Sequence, residues 1–368
     1  MTEPLILLAA GGTGGHLFPA EALGGALMQR GLRVRLVTDS RAIQYSGLFS
    51  DGMFDVVPSE TLRGSSPIAL ARAAVKLSVG TAKAIALINR LKPAAVVGFG
   101  GYPTLPPLAA ATLLHVPTVI HDSNAVLGRA NRLLARRVSA IATSLPGVFD
   151  RDPGLAGKSV MTGTPLRPAV ISAAAQPYTA LANDASFRLI VFGGSQGARI
   201  MADIVPPAIA RLAVDLQRRI KLVQQVREED LPRVRRIYQP LKIETDLAPF
   251  FTDLPQRLAA AHLVVSRSGA GTVAELAALG RPAILVPLPG AIDQDQFANA
   301  GVLMQAGGAI RIPQTEFTPE RLAAEIATLA AEPARLAAMA AAAQRLGRLD
   351  AAERLADLVM MVAGLPVT

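Results

Sequence analysis

Two glycine-rich turns, set half a chain apart, constrain this 368-residue sequence more than any other feature. Gly11-Gly12-Thr13-Gly14-Gly15 follows the apolar run 5–10, and Gly193-Gly194-Ser195-Gln196-Gly197 follows a second apolar run that ends at Phe192. Such a turn lets the backbone leave a buried strand at φ > 0 and enter a helix at once. The same pattern repeats around each turn. Runs rich in Val, Ile and Leu at 34–38, 94–98 and 118–121 alternate with Ala- and Leu-rich stretches of helical period such as 21–30, and the second half has runs at 189–192, 220–224, 263–266 and 283–287. Continuous apolar runs of this length suit strands buried on both faces, hence parallel strands joined by crossover helices. The expected fold class is α/β, with two doubly wound parallel sheets.

Pro165, Pro168 and a small-residue tract interrupt the pattern within 163–175, which divides the chain into two Rossmann-like domains, 1–166 and 167–348. Helical stretches continue from Pro333 with no strand after them, and the last, 349–368, is expected to pack back on the first domain. The longest stretch free of Asp, Glu, Lys and Arg, 93–121, contains five prolines and the Gly100-Gly101 pair, so no transmembrane helix is predicted. The run 5–10 has no basic residue ahead of it and is not read as a secretory signal. The sequence has no Cys, which excludes disulfides, thiolate metal sites and thiol nucleophiles and suits a reducing, cytoplasmic compartment.

Charge is distributed unevenly. Residues 1–166 hold 16 basic and 9 acidic residues out of totals of 37 and 28, so the first domain carries most of the positive excess and calls for an anionic partner. Aromatic residues make up 4% and Trp is absent, which leaves little to stack on bases; an anionic membrane surface is favoured over nucleic acid. Within 61–92, Arg63, Arg72, Lys76, Lys83, Arg90 and Lys92 are interleaved with Ile68, Leu70, Val75, Leu77 and Val79, without one acidic residue. That segment reads as a basic amphipathic stretch on a bilayer or as an ordinary helix with a solvated basic face.

Both glycine turns, and a third at Ser266-Arg267-Ser268-Gly269-Ala270-Gly271, offer backbone amides and a helix N-terminus to an anion. Three such loops suit a ligand with a diphosphate. As a dinucleotide fingerprint the first is defective, because Leu17 stands where the third glycine belongs; Asp39 could still hold a ribose, which keeps a nicotinamide enzyme as an alternative. His16 at the first turn is either a proton acceptor near neutral pH or a helix-capping or packing histidine. Thr272 and Glu275 have the spacing of a capping box, so Glu275 is either a cap or a ligand contact. Asp293-Gln294-Asp295 is formally an acidic metal pair, but no third carboxylate or His lies near it in sequence and a solvated turn is preferred. The four histidines show no i, i+4 pair for zinc.

Across nearly the whole chain the motifs resemble those of the MurG family of peptidoglycan N-acetylglucosaminyltransferases, which has the two-domain GT-B fold. The matching segments are GGTGGHLFPA from Gly11, GFGGYPTLPP from Gly98, HDSNAVLGRANRLLA from His121, GTPLRPAV from Gly163, GGSQGAR from Gly193, SRSGAGTVAELAALGRPAILVPLP from Ser266 and DQFANA from Asp295. The resemblance implies two domains facing across a cleft and an inverting transfer of GlcNAc from UDP-GlcNAc to the C4 hydroxyl of MurNAc in lipid I, the undecaprenyl-pyrophosphoryl-MurNAc-pentapeptide, giving lipid II. It implies that Ser195 and Arg167 address the diphosphate together with the amides of Ala270, Gly271, Thr272 and Val273, and that Glu275 holds the ribose. The backbone of Phe251 then meets the uracil. Gln296 and Asn124 contact the GlcNAc, with Thr13, Gly14 and Gly15 closing over it, and His16 takes the hydroxyl proton. No cofactor or metal is implied, and the enzyme is expected to sit peripherally on the cytoplasmic face of the inner membrane.

Three positions depart from the family pattern. Asp122-Ser123 stands where Glu-Gln is usual, Asp295 precedes Gln296 where His or Gln is common, and His262 occupies a site often held by Asp and reads as a surface residue at a strand edge. The rival readings are another GT-B enzyme with a different lipid acceptor, a UDP-sugar epimerase, or a UDP-sugar-binding protein without catalysis.

Overall fold

The computed structural model describes residues 3–11, 14–39, 49, 52–59, 67–149, 152–182, 186–194 and 197–367. The chain forms two compact units, one of Met1–Arg167 with Leu349–Thr368 and one of Pro168–Arg348. Each is built on its own parallel sheet.

In the first unit, β1 (Leu5–Ala9), β2 (Arg33–Thr38), β3 (Phe54–Val56), β4 (Ala95–Gly98), β5 (Thr118–Asp122), β6 (Ala140–Thr143) and β7 (Ser159–Met161) lie in the order β3-β2-β1-β4-β5-β6-β7. Helices α1 (Gly14–Gln29), α2 (Pro67–Leu91), α3 (Leu105–Leu113) and α4 (Arg129–Leu134) make the crossovers. All five residues of β1 are buried. Successive side chains on a strand point to opposite faces, so Ile6 and Leu8 pack in one layer with α1 while Leu7 and Ala9 pack in the other with α2 to α4. Each leucine wholly removed from water contributes about 1.5–3 kcal/mol. α1 starts at Gly14, ahead of the helical pattern that begins at Glu21, and includes Pro19. Pro19 supplies no N–H for the carbonyl of Gly15, which is why glycines and a proline read as turn in the sequence.

In the second unit, β8 (Phe187–Phe192), β9 (Ile220–Gln225), β10 (Glu244–Ala248), β11 (Leu263–Ser266), β12 (Ala283–Leu285) and β13 (Ala309–Arg311) take the order β10-β9-β8-β11-β12-β13. The helices are α5 (Pro168–Ala173), α6 (Arg199–Ala210), α7 (Val214–Arg219), α8 (Leu231–Tyr238), α9 (Leu254–Ala260), α10 (Ala270–Leu279), α11 (Asp295–Gln305), α12 (Pro319–Ala331) and α13 (Pro333–Leu346). The last helix, α14 (Ala351–Val362), belongs to the first unit, where Leu355, Ala356 and Val359 are fully buried in the layer of α1. Arg30, just past α1, clamps it by donating to Asp357 at 2.6 Å and to Glu353 at 2.5 Å.

His262, expected on the surface, is 3% exposed. Its ring stacks on Phe187 at 6.1 Å and Nδ1 accepts the backbone N–H of Arg188 at 2.9 Å. Burial, with Arg188 and Arg281 nearby, pushes its pKa down to about 4. No single helix among the described residues is long and apolar enough to cross a membrane.

Candidate active site

Strand order reverses once in each sheet, between β1 and β4 and between β8 and β11. In open parallel sheets, ligands gather at the carboxyl ends of the strands flanking such a point. His16 is the third residue of α1, just beyond the β1 turn, and is half-buried. The facing turn after β4 carries Gly100 and Gly101 at φ 88° and 76°. A Cβ on Gly100 would lie 3.3 Å from His16 Cε1, and one on Gly101 would lie 3.4 Å from His16 Nε2. Both glycines therefore permit left-handed backbone and leave room for the imidazole. The His16 ring is set against that turn.

The end of β5 extends this patch. The Asp122 carboxylate accepts from Asn124 N at 3.1 Å, Asn124 Nδ2 at 3.4 Å, Gly128 N at 2.8 Å and Asn131 Nδ2 at 2.9 Å. Asn131 also donates to the carbonyl of His121 at 3.0 Å, and its Nδ2 lies 3.5 Å from where a Gly100 Cβ would be. His16 and Asn124 thus belong to one connected patch, and the shorter Asp122 serves to fix Asn124. Next to it His121 is fully buried, its Nε2 3.0 Å from both Gly163 O and Ser144 Oγ. Burial lowers its pKa, so the ring is neutral and donates from Nε2 to the carbonyl. Arg167 lies over the Phe18 ring of α1 at 4.7 Å, within the first unit. Gly14 is buried and Gly15 exposed. Thr13 and Ser195 lie outside the described residues.

In the second unit the binding surface is largely backbone. α10 begins after Gly269, with no side-chain cap; Thr272 lies inside its first turn, which removes the capping-box reading of Thr272 and Glu275. Val273 N bonds to Gly269 O at 3.0 Å, while the preceding amides of a helix first turn have no acceptor of their own. A Cβ on Gly269 or Gly271 would meet nothing within 4 Å, so this helix end is open to a ligand. Glu275, one turn further, is partly exposed. Gln296, at the start of α11, accepts Leu288 N through Oε1 at 3.0 Å, and its carbonyl takes the Ser268 hydroxyl at 2.8 Å. Its amide NH₂ is then the end suited to donate to a sugar. Asp295 Oδ1 accepts Gln296 N at 2.7 Å, and no group of three His, Asp or Glu side chains at metal-binding spacing occurs among the described residues. Phe251 follows β10 at the carboxyl edge, with Arg257 stacked 4.5 Å from its ring centroid.

The loop after β8 has Gly194 and Gly197 at φ 88° and 66°. Gly193 is enforced by space, since a Cβ there would come within 2.6 Å of Ala198 Cβ. Gln225 and Arg227, which the sequence reading did not single out, hold this loop: Gln225 Oε1 accepts Gly193 N at 3.0 Å and Arg227 donates to Gly197 O at 3.2 Å. Position at the end of β9, next to the β8 switch, was the one available signal for them.

Two doubly wound units, one presenting a histidine and the other an array of amides suited to an anion, are the architecture of two-domain glycosyltransferases. The chain belongs to glycosyltransferase family 28: it matches the N-terminal domain of that family over residues 6–143 and the C-terminal domain over 188–355. It is 71% identical, over 99% of its length and 97% of the relative's, to the UDP-N-acetylglucosamine--N-acetylmuramyl-(pentapeptide) pyrophosphoryl-undecaprenol N-acetylglucosamine transferase of Rhodopseudomonas palustris strain BisA53. A protein of the same name from Bradyrhizobium diazoefficiens is also 71% identical, over 99% of this chain and all of that one. The crystal structure of Acinetobacter baumannii MurG matches at a TM-score of 0.79 and 28% identity, covering 97% of this chain and 99% of that one.

Proposed function

We propose that this chain is the inverting hexosyltransferase that moves GlcNAc from UDP-GlcNAc to the C4 hydroxyl of MurNAc in lipid I, forming lipid II for peptidoglycan. The observation that carries this is identity near 70%, over almost the whole chain, to relatives named for that transfer. The first unit takes the acceptor. His16 accepts the C4 proton as the hydroxyl attacks the anomeric carbon from the face opposite UDP, and Asn124 with Thr13, Gly14 and Gly15 positions the sugar. The second unit takes UDP-GlcNAc. The amides of residues 270–273, with Ser195 and Arg167, stabilise the diphosphate as charge develops on it in an oxocarbenium-like transition state. Glu275 holds the ribose hydroxyls, the Phe251 backbone the uracil and Gln296 the GlcNAc.

Incubating the purified protein with labelled UDP-GlcNAc and lipid I in EDTA tests the whole reading. Butanol-extractable label that depends on lipid I is expected; label that stays aqueous, or needs an added divalent ion, overturns it.

The same reading places the enzyme peripherally on the cytoplasmic face of the inner membrane, where lipid II supply serves wall growth, cell shape and division. Support comes from α2, whose exposed Arg72, Lys83 and Arg90 accompany Val75 and Val79, 63% and 47% exposed. Each basic group near an anionic surface contributes about 1 kcal/mol. Reversing the charges of Arg72, Lys76 and Lys83 should abolish salt-sensitive binding to anionic vesicles; binding that persists rules this face out.

A further inference from the structure

Gln225 touches two segments to which the proposed function gives different parts of the nucleotide. Its side chain is 9% exposed at the end of β9. Oε1 accepts the N–H of Gly193, the first residue of the β8 loop, at 3.0 Å, while Nε2 donates to the carbonyl of Pro249 at 3.1 Å. Pro249 lies two residues before Phe251, and the residue ahead of it is held to β9, where Val226 N donates to Ala248 O at 2.9 Å. Arg227 completes the grip on the loop alone, through its bond to Gly197 O and through its Cγ, 3.1 Å from where a Cβ on Gly197 would be.

We propose that Gln225 is a positioning residue that sets the uracil-binding segment and the diphosphate loop in register through one carboxamide, and that Arg227 positions the loop without affecting base recognition. The inference rests on the nucleotide reading of the second unit. A carboxamide is suited to this coupling because it has one acceptor and one donor end, and each neighbour requires a different one. Losing a buried partner is worth enough to be read as roughly a 10-fold change in affinity.

The variants Gln225→Glu and Arg227→Met are compared with wild type by inhibition constants for uridine and for UDP, by kcat and KM for UDP-GlcNAc, and by melting temperature. Gln225→Glu keeps an acceptor for Gly193 but sets a second oxygen against the Pro249 carbonyl. Uridine, which carries no phosphate to be repelled by the new charge, should bind about 10-fold more weakly, and the loss should appear in the donor KM more than in kcat. Arg227→Met keeps the aliphatic stem and should weaken UDP about 5- to 10-fold with uridine unchanged. If Gln225→Glu melts far below wild type, Gln225→Met, neutral and of matching length, carries the same uridine measurement. A uridine constant within 2-fold of wild type in the Gln225 variant, or equal losses of uridine and UDP in Arg227→Met, overturns the proposal. Failure of wild type itself to bind UDP would instead sink the nucleotide reading beneath it.

Discussion

The two units share a topology and differ in what they place at the switch point. In the second unit the candidate ligand edge is largely main chain: a helix start at Ala270 with no side-chain cap and the positive-φ glycines Gly194 and Gly197 after β8, with Gln225 holding the adjoining Gly193. In the first unit it consists of side chains: His16 set against Gly100 and Gly101, and Asn124 fixed by Asp122. Main-chain amides are fixed dipoles that do not titrate, which suits holding a diphosphate while its charge grows. A proton must be accepted by a group that titrates near neutral pH, which the backbone cannot supply. Glycine accordingly has opposite uses in the two units, exposing amides in one and making room for an imidazole in the other.

Removing the titrating group should have the largest effect. His16→Ala is expected to lower kcat about 10²- to 10⁴-fold with donor affinity unchanged by calorimetry; a wild-type rate would show that the first unit, too, works through its backbone. Glu275→Ala tests the exception in the second unit, a side chain among amides. Loss of its proposed charge-assisted contacts to the ribose should weaken UDP-GlcNAc about 10- to 100-fold, and since the helix cap lies at Gly269, its melting temperature should hold. Asp122→Asn exchanges a carboxylate that accepts four bonds for a group with one accepting oxygen; kcat should fall about 10-fold with little change in donor KM, and a change confined to KM would move Asn124 out of the transfer step.

The smallest effect on turnover concerns the two buried histidines, His121 in the first unit and His262 in the second. Both have folded pKa values below the unfolded value near 6.5. Their contribution to stability is therefore complete above that value and lost as pH falls through the folded pKa, for His262 between about 6.5 and 4. His262→Asn, which can still accept the Arg188 N–H, should flatten the fall in melting temperature between pH 7 and pH 4.5 by an amount corresponding to about 2–3 kcal/mol, with transfer activity at pH 7 retained. An unchanged slope would assign the acid sensitivity to the first unit.

Much of the fold was legible because its central strands are apolar on both faces. β1, β4, β8 and β11 read as uninterrupted runs, and each is fully or almost fully buried. Most of the strands the pattern missed are short or lie at edges; β6 is the exception, interior and fully buried, but its Ala-Ile-Ala-Thr sequence holds a single large apolar side chain. β3 and β7 have three residues each, β10 is an outer strand largely exposed along its length, and β13 has three residues of which only the first is buried. None of these carries enough apolar periodicity to stand out. At the site, the glycine loops were visible because a glycine's backbone freedom is a property of the residue itself. The roles of Asp122 and Gln225 were not, because each depends on a partner from another element: Asn131 on α4, Pro249 beyond β10. His262 was misread for the same reason, its burial being decided by Phe187 and Tyr178 far away in sequence.

The return of α14 to the first unit makes the second unit an insertion within it. A ribosome therefore finishes the 168–348 stretch while the earlier sheet still lacks one covering helix, and the apolar layer of Leu17, Leu23 and Leu27 waits for Leu355 and Val359 to emerge. The half that carries the start of α10 can thus mature during synthesis, whereas the half that carries His16 becomes whole only once α14 has emerged.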